Sequence, residues 1–208
     1  MNIRHRAKKI QAFLDEYFPH ARVPLEHRDP FTLLVAVLLS AQTTDKKVNE
    51  VTPELFGLAP DSQALADLGE GRILQIIRPL GLAPQKARHL AALGRQIQGR
   101  FSGRVPETLE ELESLPGVGH KTASVVMVQA FHKPAFPVDT HIHRLSTRWG
   151  LTSGRSVLQT EKDLKLLYKA KDWGKLHLQL IYYGRQYCPA LRHEIAKCPI
   201  CRWLAEVT

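Results

Sequence analysis

The sequence predicts an all-α fold on three grounds. Apolar residues recur at helical spacing in segment after segment, helix start signals precede several of these segments, and Pro and Gly fall between them, at Pro60, Gly69, Gly81, Gly103, Pro116 and Pro137. No low-complexity tract or fixed-period repeat interrupts the pattern. Taken in order, Asp29-Pro30 supplies an N-cap and a first-turn proline for "FTLLVAVLLSAQ". Thr43/Thr44 offers the start of the next helix in "TTDKKVNEVTPELF". "APQKARHLAALGRQIQGRF" places Ala87, Leu90, Ala91, Leu93 and Ile97 on one amphipathic face. "PETLEELESLPG" opens at Pro106 and spaces Leu109, Leu112 and Leu115 by three. "DTHIHRLSTRWGL" and "SVLQTEKDLKLLYKA" follow the same logic. "WGKLHLQLIYYGRQYC" carries some two-residue alternation at Leu176, Leu178 and Leu180, but its length favours a helix.

The charge pattern divides the chain. Net charge is +9. Residues 1–23 carry 5 Lys/Arg against 2 Asp/Glu, residues 24–133 carry 12 of each, and residues 134–208 carry 12 against 6. The excess lies at the two ends, so two subdomains are expected: a neutral helical bundle over 24–133, and a basic domain built from 1–23 plus 134–208. A basic excess of this size suits a polyanionic partner, nucleic acid first, or a solvated surface. The longest apolar run, "FTLLVAVLLSA", is 11 residues, well short of the ~20 a membrane span needs. The basic N-terminus has no apolar signal segment behind it, so a cytoplasmic protein with no membrane partner is expected. All three cysteines, Cys188, Cys198 and Cys201, lie in the last 21 residues. An odd, clustered set in the pattern C-x9-C-x2-C is a poor disulfide framework and suits metal or cluster ligation.

The stretch "LPGVGHKTASVVM" reads as helix, tight turn, helix. Pro116 stops the first helix. Gly117, Val118 and Gly119 form a turn that permits close backbone approach, and the second helix begins near Gly119 with free N–H groups at its positive end. That arrangement binds phosphate, although a plain αα-hairpin would show the same glycines. A P-loop is excluded, because His120 separates Gly119 from Lys121.

"LPGVGHKTA" resembles the helix–hairpin–helix motif of DNA-repair glycosylases, and "FPVDTHIHRL" resembles the segment that carries the superfamily's catalytic aspartate, here Asp139. "LLVAVLLSAQTTDKKVN", "GLAPQKARHL" and "YGRQYCPA" are similar to the endonuclease III family, collinear from about residue 3 to 201. The resemblance implies the helix–hairpin–helix glycosylase fold, with two helical subdomains and a DNA cleft. It implies a monomeric DNA N-glycosylase with apurinic/apyrimidinic lyase activity on oxidised pyrimidines, acting on double-stranded DNA with damaged bases or abasic sites.

The residue types suit that chemistry. A glycosylase extrudes the damaged nucleotide before cutting its C1′–N bond. An unprotonated lysine attacks C1′, and desolvation and a helix dipole both favour the neutral amine. Lys121, in the first turn of a helix and beside an apolar run, fits the role; otherwise it is a surface lysine touching phosphate. Asp139 would assist deprotonation and stabilise positive charge on the sugar, and can cap a helix as well. By resemblance, Gln42 and Leu82 fill the gap left by the flipped base, and His141 lines the pocket or makes a structural hydrogen bond. A monofunctional glycosylase, or a non-catalytic helix–hairpin–helix module, remains the alternative; neither needs Lys121.

The cysteines depart from the family. Endonuclease III holds a [4Fe-4S] cluster through C-x6-C-x2-C-x5-C. Here the first gap is nine residues, and Val207 stands where the fourth cysteine would fall. A [4Fe-4S] cluster completed by His193, Glu194, Glu206 or solvent is expected, with a zinc site or no metal as alternatives.

Overall fold

The computed structural model describes residues 1–207. Eleven α-helices and two 3-10 turns account for the regular structure, and no strand is found among the described residues. The chain divides into two compact units. One spans Val23–Lys133; the other joins Met1–Arg22 to the segment from Pro134 onward. No helix among the described residues is long and apolar enough to cross a membrane.

The Val23–Lys133 unit is built around α2 (Pro30–Leu39). Every residue from Thr32 to Leu39 is buried, so this helix is a core rod rather than an amphipathic one. Its start is fixed locally. Asp29 accepts a hydrogen bond from Thr32 N at 2.7 Å, and Thr32 Oγ1 accepts from Asp29 N at 3.1 Å, a reciprocal cap ahead of Pro30. Around it lie α3 (Asp45–Leu58), capped by Thr44, then α4 (Ser62–Ile77) and α5 (Ala83–Phe101). Gly69 interrupts α4 with φ 74°, ψ 162°, a conformation that favours glycine. The α4–α5 pair packs at very short range. A Cβ on Gly94 would stand 2.8 Å from Ala66 N and 2.9 Å from Ser62 O, so only a hydrogen at that position lets the two backbones meet.

The short helix α6 (Leu109–Glu113) and α7 (His120–Gln129) form the hairpin. α6 begins at Leu109, not at Pro106 as the sequence pattern suggested. Thr108 is the reason: its hydroxyl accepts from Glu111 N at 3.3 Å and donates to Glu111 Oε2 at 2.7 Å, a cap that starts the helix three residues on.

The second unit packs α1 (Ile3–Tyr17), α8 (Thr140–Arg148), α9 (Val157–Leu167), α10 (Trp173–Gln186) and α11 (Pro199–Val207) around Phe136, Leu145, Trp149, Leu164, Leu176, Leu180 and Tyr183. Ala7, Ile10 and Leu14 give α1 its buried stripe. Gln179 Nε2 donates to Leu14 O and Phe18 O, both at 3.1 Å, which ties α10 to the last turn of α1, where Leu14 O also accepts from Phe18 N at 2.9 Å. The alternation noted over residues 176–180 is not a strand signal. All five residues are buried in α10, the polar His177 and Gln179 because each has a hydrogen-bond partner.

The Gly94 contact generates a paired test. Gly94→Ala should cost about 1–3 kcal/mol, because the new methyl group meets backbone rather than a movable side chain. Gly99→Ala on the same helix meets nothing within 4 Å and should stabilise by about 0.5–1 kcal/mol through helix propensity. Urea unfolding of the two variants reads both signs.

Candidate functional site

Lys121 is the second residue of α7 and is half-buried. α7 turns Ala123, Ser124, Val125 and Val126 into the core, which holds its first turn at the surface. Gly119 is the N-cap, exposed and without a side-chain cap, so the start of α7 stays open to an anion. Gly117 takes φ 78°. Val118 donates its N–H to Leu115 O at 3.1 Å and buries its side chain, so it anchors the turn rather than presenting a side chain to a ligand. His120 Nδ1 lies 2.6 Å from Glu113 Oε1, which ties the two helices of the hairpin together.

Gln42 and Leu82 belong to neighbouring turns of the same unit. Both are exposed non-glycine residues with left-handed backbone, φ 53° and φ 61°. A Cβ on Gly81 would lie 3.3 Å from Gln42 O, so the two turns touch. The contact is braced from below. Lys86, one turn into α5 and only 3% exposed, donates its Nζ to Thr43 Oγ1 at 2.7 Å. Burial pulls the Lys86 ammonium below the usual lysine range. Non-glycine residues held in this region carry strain of about 1–3 kcal/mol each and cluster where function needs a fixed side chain.

The helix α5 also holds the hairpin. A Cβ on Gly117 would stand 2.6 Å from His89 Nδ1. Gln96 Nε2 donates to Ser114 O at 3.1 Å, and Arg100 Nη1 donates to Ser114 Oγ at 3.0 Å. Lys86, His89, Gln96 and Arg100 thus form a polar stripe on α5, separate from the apolar face read in the sequence. Sequence reasoning missed all four. Their spacing of three, seven and four residues is the available signal, and it is weak without knowing what faces it.

In the other unit, Asp139 caps α8. Its Oδ1 accepts from Ile142 N at 2.8 Å, which leaves the second oxygen available for chemistry. The preceding extended segment is fixed by His177 Nδ1 at 3.0 Å from Pro137 O. His141 is half-buried, with Nδ1 3.4 Å from Arg144 Nη2. Arg144 donates to Cys188 O at 3.0 Å, and burial lowers its guanidinium pKa while the Asp139 carboxylate acts in the opposite direction. Arg148, one turn on, donates Nη1 to Cys188 Sγ at 3.0 Å. The helix that begins at Asp139 is therefore fastened to the cysteine segment by two arginines that sequence reasoning passed over.

The three cysteines converge. The donor atoms of Cys188, His193, Cys198 and Cys201 all lie within 4.8 Å of one another, an arrangement able to hold a metal ion. All three cysteines are free and buried. Glu194 is exposed and paired with Lys197 at 2.9 Å, and Glu206 is exposed, so His193 is the member of the expected candidates that joins the thiols.

Comparison with known proteins places this geometry in context. A family model described as HhH-GPD superfamily base excision DNA repair protein matches residues 35–170. The endonuclease III of Synechocystis sp. is 40% identical over 198 residues, covering 95% of this chain and 90% of that protein. That of Treponema pallidum is 45% identical over 180 residues, covering 86% and 85%. A solved structure of a trapped endonuclease III–DNA covalent intermediate superposes with a TM-score of 0.91 at 38% identity, covering 96% of this chain and 94% of that one.

The hairpin turn can be tested by a double-mutant cycle. Gly117→Ala should destabilise the protein by about 1–3 kcal/mol through backbone strain and collision with His89. His89→Ala introduced with it should recover part of that loss, since it removes the collision and leaves the strain. Thermal or urea unfolding of the four proteins gives the coupling.

Proposed function

The chain belongs to the HhH-GPD superfamily of base-excision DNA repair proteins, and we propose that it acts as an endonuclease III-type DNA glycosylase and abasic-site lyase whose chemistry Lys121 and Asp139 carry. The observation that supports these roles most is the placement of a half-buried lysine at the start of α7, directly behind a glycine turn with an open helix terminus. The substrate is duplex DNA containing oxidised pyrimidines or abasic sites. Hairpin backbone groups and the basic terminal segments take up phosphate, which positions the protein without reading bases.

The damaged nucleotide leaves the stack, and Gln42 and Leu82 fill the gap. Their exposure and fixed backbone suit insertion. The neutral amine of Lys121 attacks C1′ and the C1′–N bond breaks, the electron pair leaving with the base. Loss of the amine proton and opening of the sugar give a Schiff base between Lys121 Nζ and C1′. A proton is then removed from C2′, and elimination of the 3′ phosphate breaks the strand. Asp139 serves as acceptor for the lysine proton and as the negative charge that stabilises the developing sugar cation. His141 borders the pocket that receives the base.

The resemblance also implies a [4Fe-4S] cluster at the C-terminal cysteines. The metal-binding half of that expectation has a physical basis in the four convergent donors. The cluster itself is a poor fit, because a cubane needs each donor on its own iron, and these donors lie closer together than that. No step of the reaction passes through the metal.

Two measurements test the assignment. Lys121→Gln should reduce strand cleavage and borohydride trapping on an abasic duplex by roughly 10³-fold or more while leaving duplex affinity within a few-fold; a variant that still traps would place the nucleophile on another amine. Duplex affinity should fall steeply as salt rises and change little with sequence around the lesion, since phosphate contacts release counterions; a flat salt dependence would exclude a phosphate-dominated footprint.

A further inference from the structure

We infer that Cys188, His193, Cys198 and Cys201 form a mononuclear tetrahedral site that binds a single zinc ion, in place of the iron–sulfur cluster that the family resemblance implies. The inference is independent of the catalytic roles assigned to Lys121 and Asp139. It rests on spacing, on one buried ring nitrogen and on the order of ligands in the chain.

Spacing comes first. Around one tetrahedral zinc, donors lie about 3.8 Å apart for two sulfurs and about 3.6 Å for sulfur and nitrogen, given bonds of ~2.3 Å and ~2.05 Å. Cys188 Sγ and Cys201 Sγ are 3.8 Å apart, and all four donors fall within 4.8 Å. A [4Fe-4S] cube fixes each protein ligand to a different iron and sets them on the outside of a much larger body. One ion needs no more than a slight drawing-in of the wider pairs; a cube would require the loop and two helix ends to move apart.

The second observation is His193 Nε2. It is buried and makes no well-formed hydrogen bond, although a buried polar nitrogen is normally satisfied, and the imidazole's polar neighbour is the Cys198 sulfur. Lying in a group with three thiols, it has the chemistry of a neutral imidazole ligand. The local fold brings it there. Arg192 takes φ 55°, a turn into left-handed backbone just before His193, and the 3-10 turn Ile195–Lys197 returns the chain to Cys198.

The third is the ligand order, Cys188-x4-His193-x4-Cys198-x2-Cys201. Short, regular gaps and a Cys3His donor set are those of structural zinc sites. The supporting shell is also in place. Arg148 Nη1 donates to Cys188 Sγ at 3.0 Å, and the Tyr183 hydroxyl lies 3.5 Å from Cys198 Sγ while accepting from Ile200 N at 2.9 Å. A Zn²⁺ with three thiolates and a neutral imidazole carries one net negative charge, and the Arg148 guanidinium offsets it. Binding displaces the thiol protons to solvent and involves no electron transfer.

The test is elemental analysis and spectroscopy on the full chain, expressed with both iron and zinc available and purified without oxygen. About one zinc per chain, negligible acid-labile sulfide and no visible absorption are expected. About four irons with matching sulfide, or a folded protein without metal, would overturn the inference. Cobalt titrated into the chelator-stripped protein should give the intense visible bands of a tetrahedral thiolate site. His193→Ala should weaken cobalt and zinc binding at least about tenfold, and His193→Cys should retain binding with a shifted cobalt spectrum, which separates ligand loss from misfolding. Glu194→Gln should match the unaltered protein. Binding and spectrum unchanged in His193→Ala would remove His193 from the site. Borohydride trapping through Lys121 is read separately, so the metal site and the catalytic assignment fail independently.

Discussion

The approach of α5 to α4 at Gly94 is the constraint on which the Val23–Lys133 unit depends. α5 does more than close the core. From its N-cap at Leu82 to Arg100 it holds each candidate contact segment of that unit: the Gln42–Thr43 turn through Lys86, the hairpin turn through His89, and the end of α6 through Gln96 and Arg100. These contacts reach their partners only if α5 lies at one depth. A helix displaced by one methyl group at position 94 would carry Lys86 and His89 away together, because both ride on the same rigid rod. The fold thus converts a single close backbone contact into the placement of Gln42, Leu82 and the turn before Lys121.

The other unit uses a different device. Asp139 is positioned from both sides. His177 takes up Pro137 O ahead of it, and α8 runs from it to Arg144 and Arg148, which close on Cys188. Close packing of α8 on α10 is required, since a Cβ on Gly184 would lie 3.1 Å from Leu145 Cδ1. A metal ion at the cysteine group would therefore act on Asp139 through one helix and two guanidinium groups. Its contribution would be to hold the end of that helix, a structural role that a redox-inert ion could perform as well as a cluster.

What the sequence made legible was local. Asp29, Thr44 and Asp139 cap helices as their residue types suggest, because a cap is satisfied within three or four residues. The glycine turn before Lys121 was legible for the same reason. What stayed hidden depends on partners distant in the chain. Lys86 looks like any surface lysine until Thr43 is known to lie beside it, and Gln96 and Arg100 look like a solvated face until Ser114 is known to accept a hydrogen bond from each. Thr108 displaced Pro106 as a helix start because its side chain reaches Glu111, a competition between two adequate signals. His193 was one of several candidate ligands, and what singles it out is the left-handed turn at Arg192, which nothing in the residue type announces.

Strain connects these hidden features to function. Gln42 and Leu82 hold left-handed backbone without being glycine, and glycine at either position would relieve that strain. Glycine would also remove the side chain. In the role proposed for Gln42 and Leu82, a residue that enters a gap in stacked bases needs bulk at a fixed direction, and a relaxed loop would have to be ordered at the moment of binding, at about 1–2 kcal/mol per residue. Storing the strain in the free protein moves that ordering cost from the binding step to folding, where the core around α2 and the Lys86–Thr43 bond offset it. Strained, exposed and braced from beneath, the two turns have the character of preformed contacts rather than of accidental loop geometry.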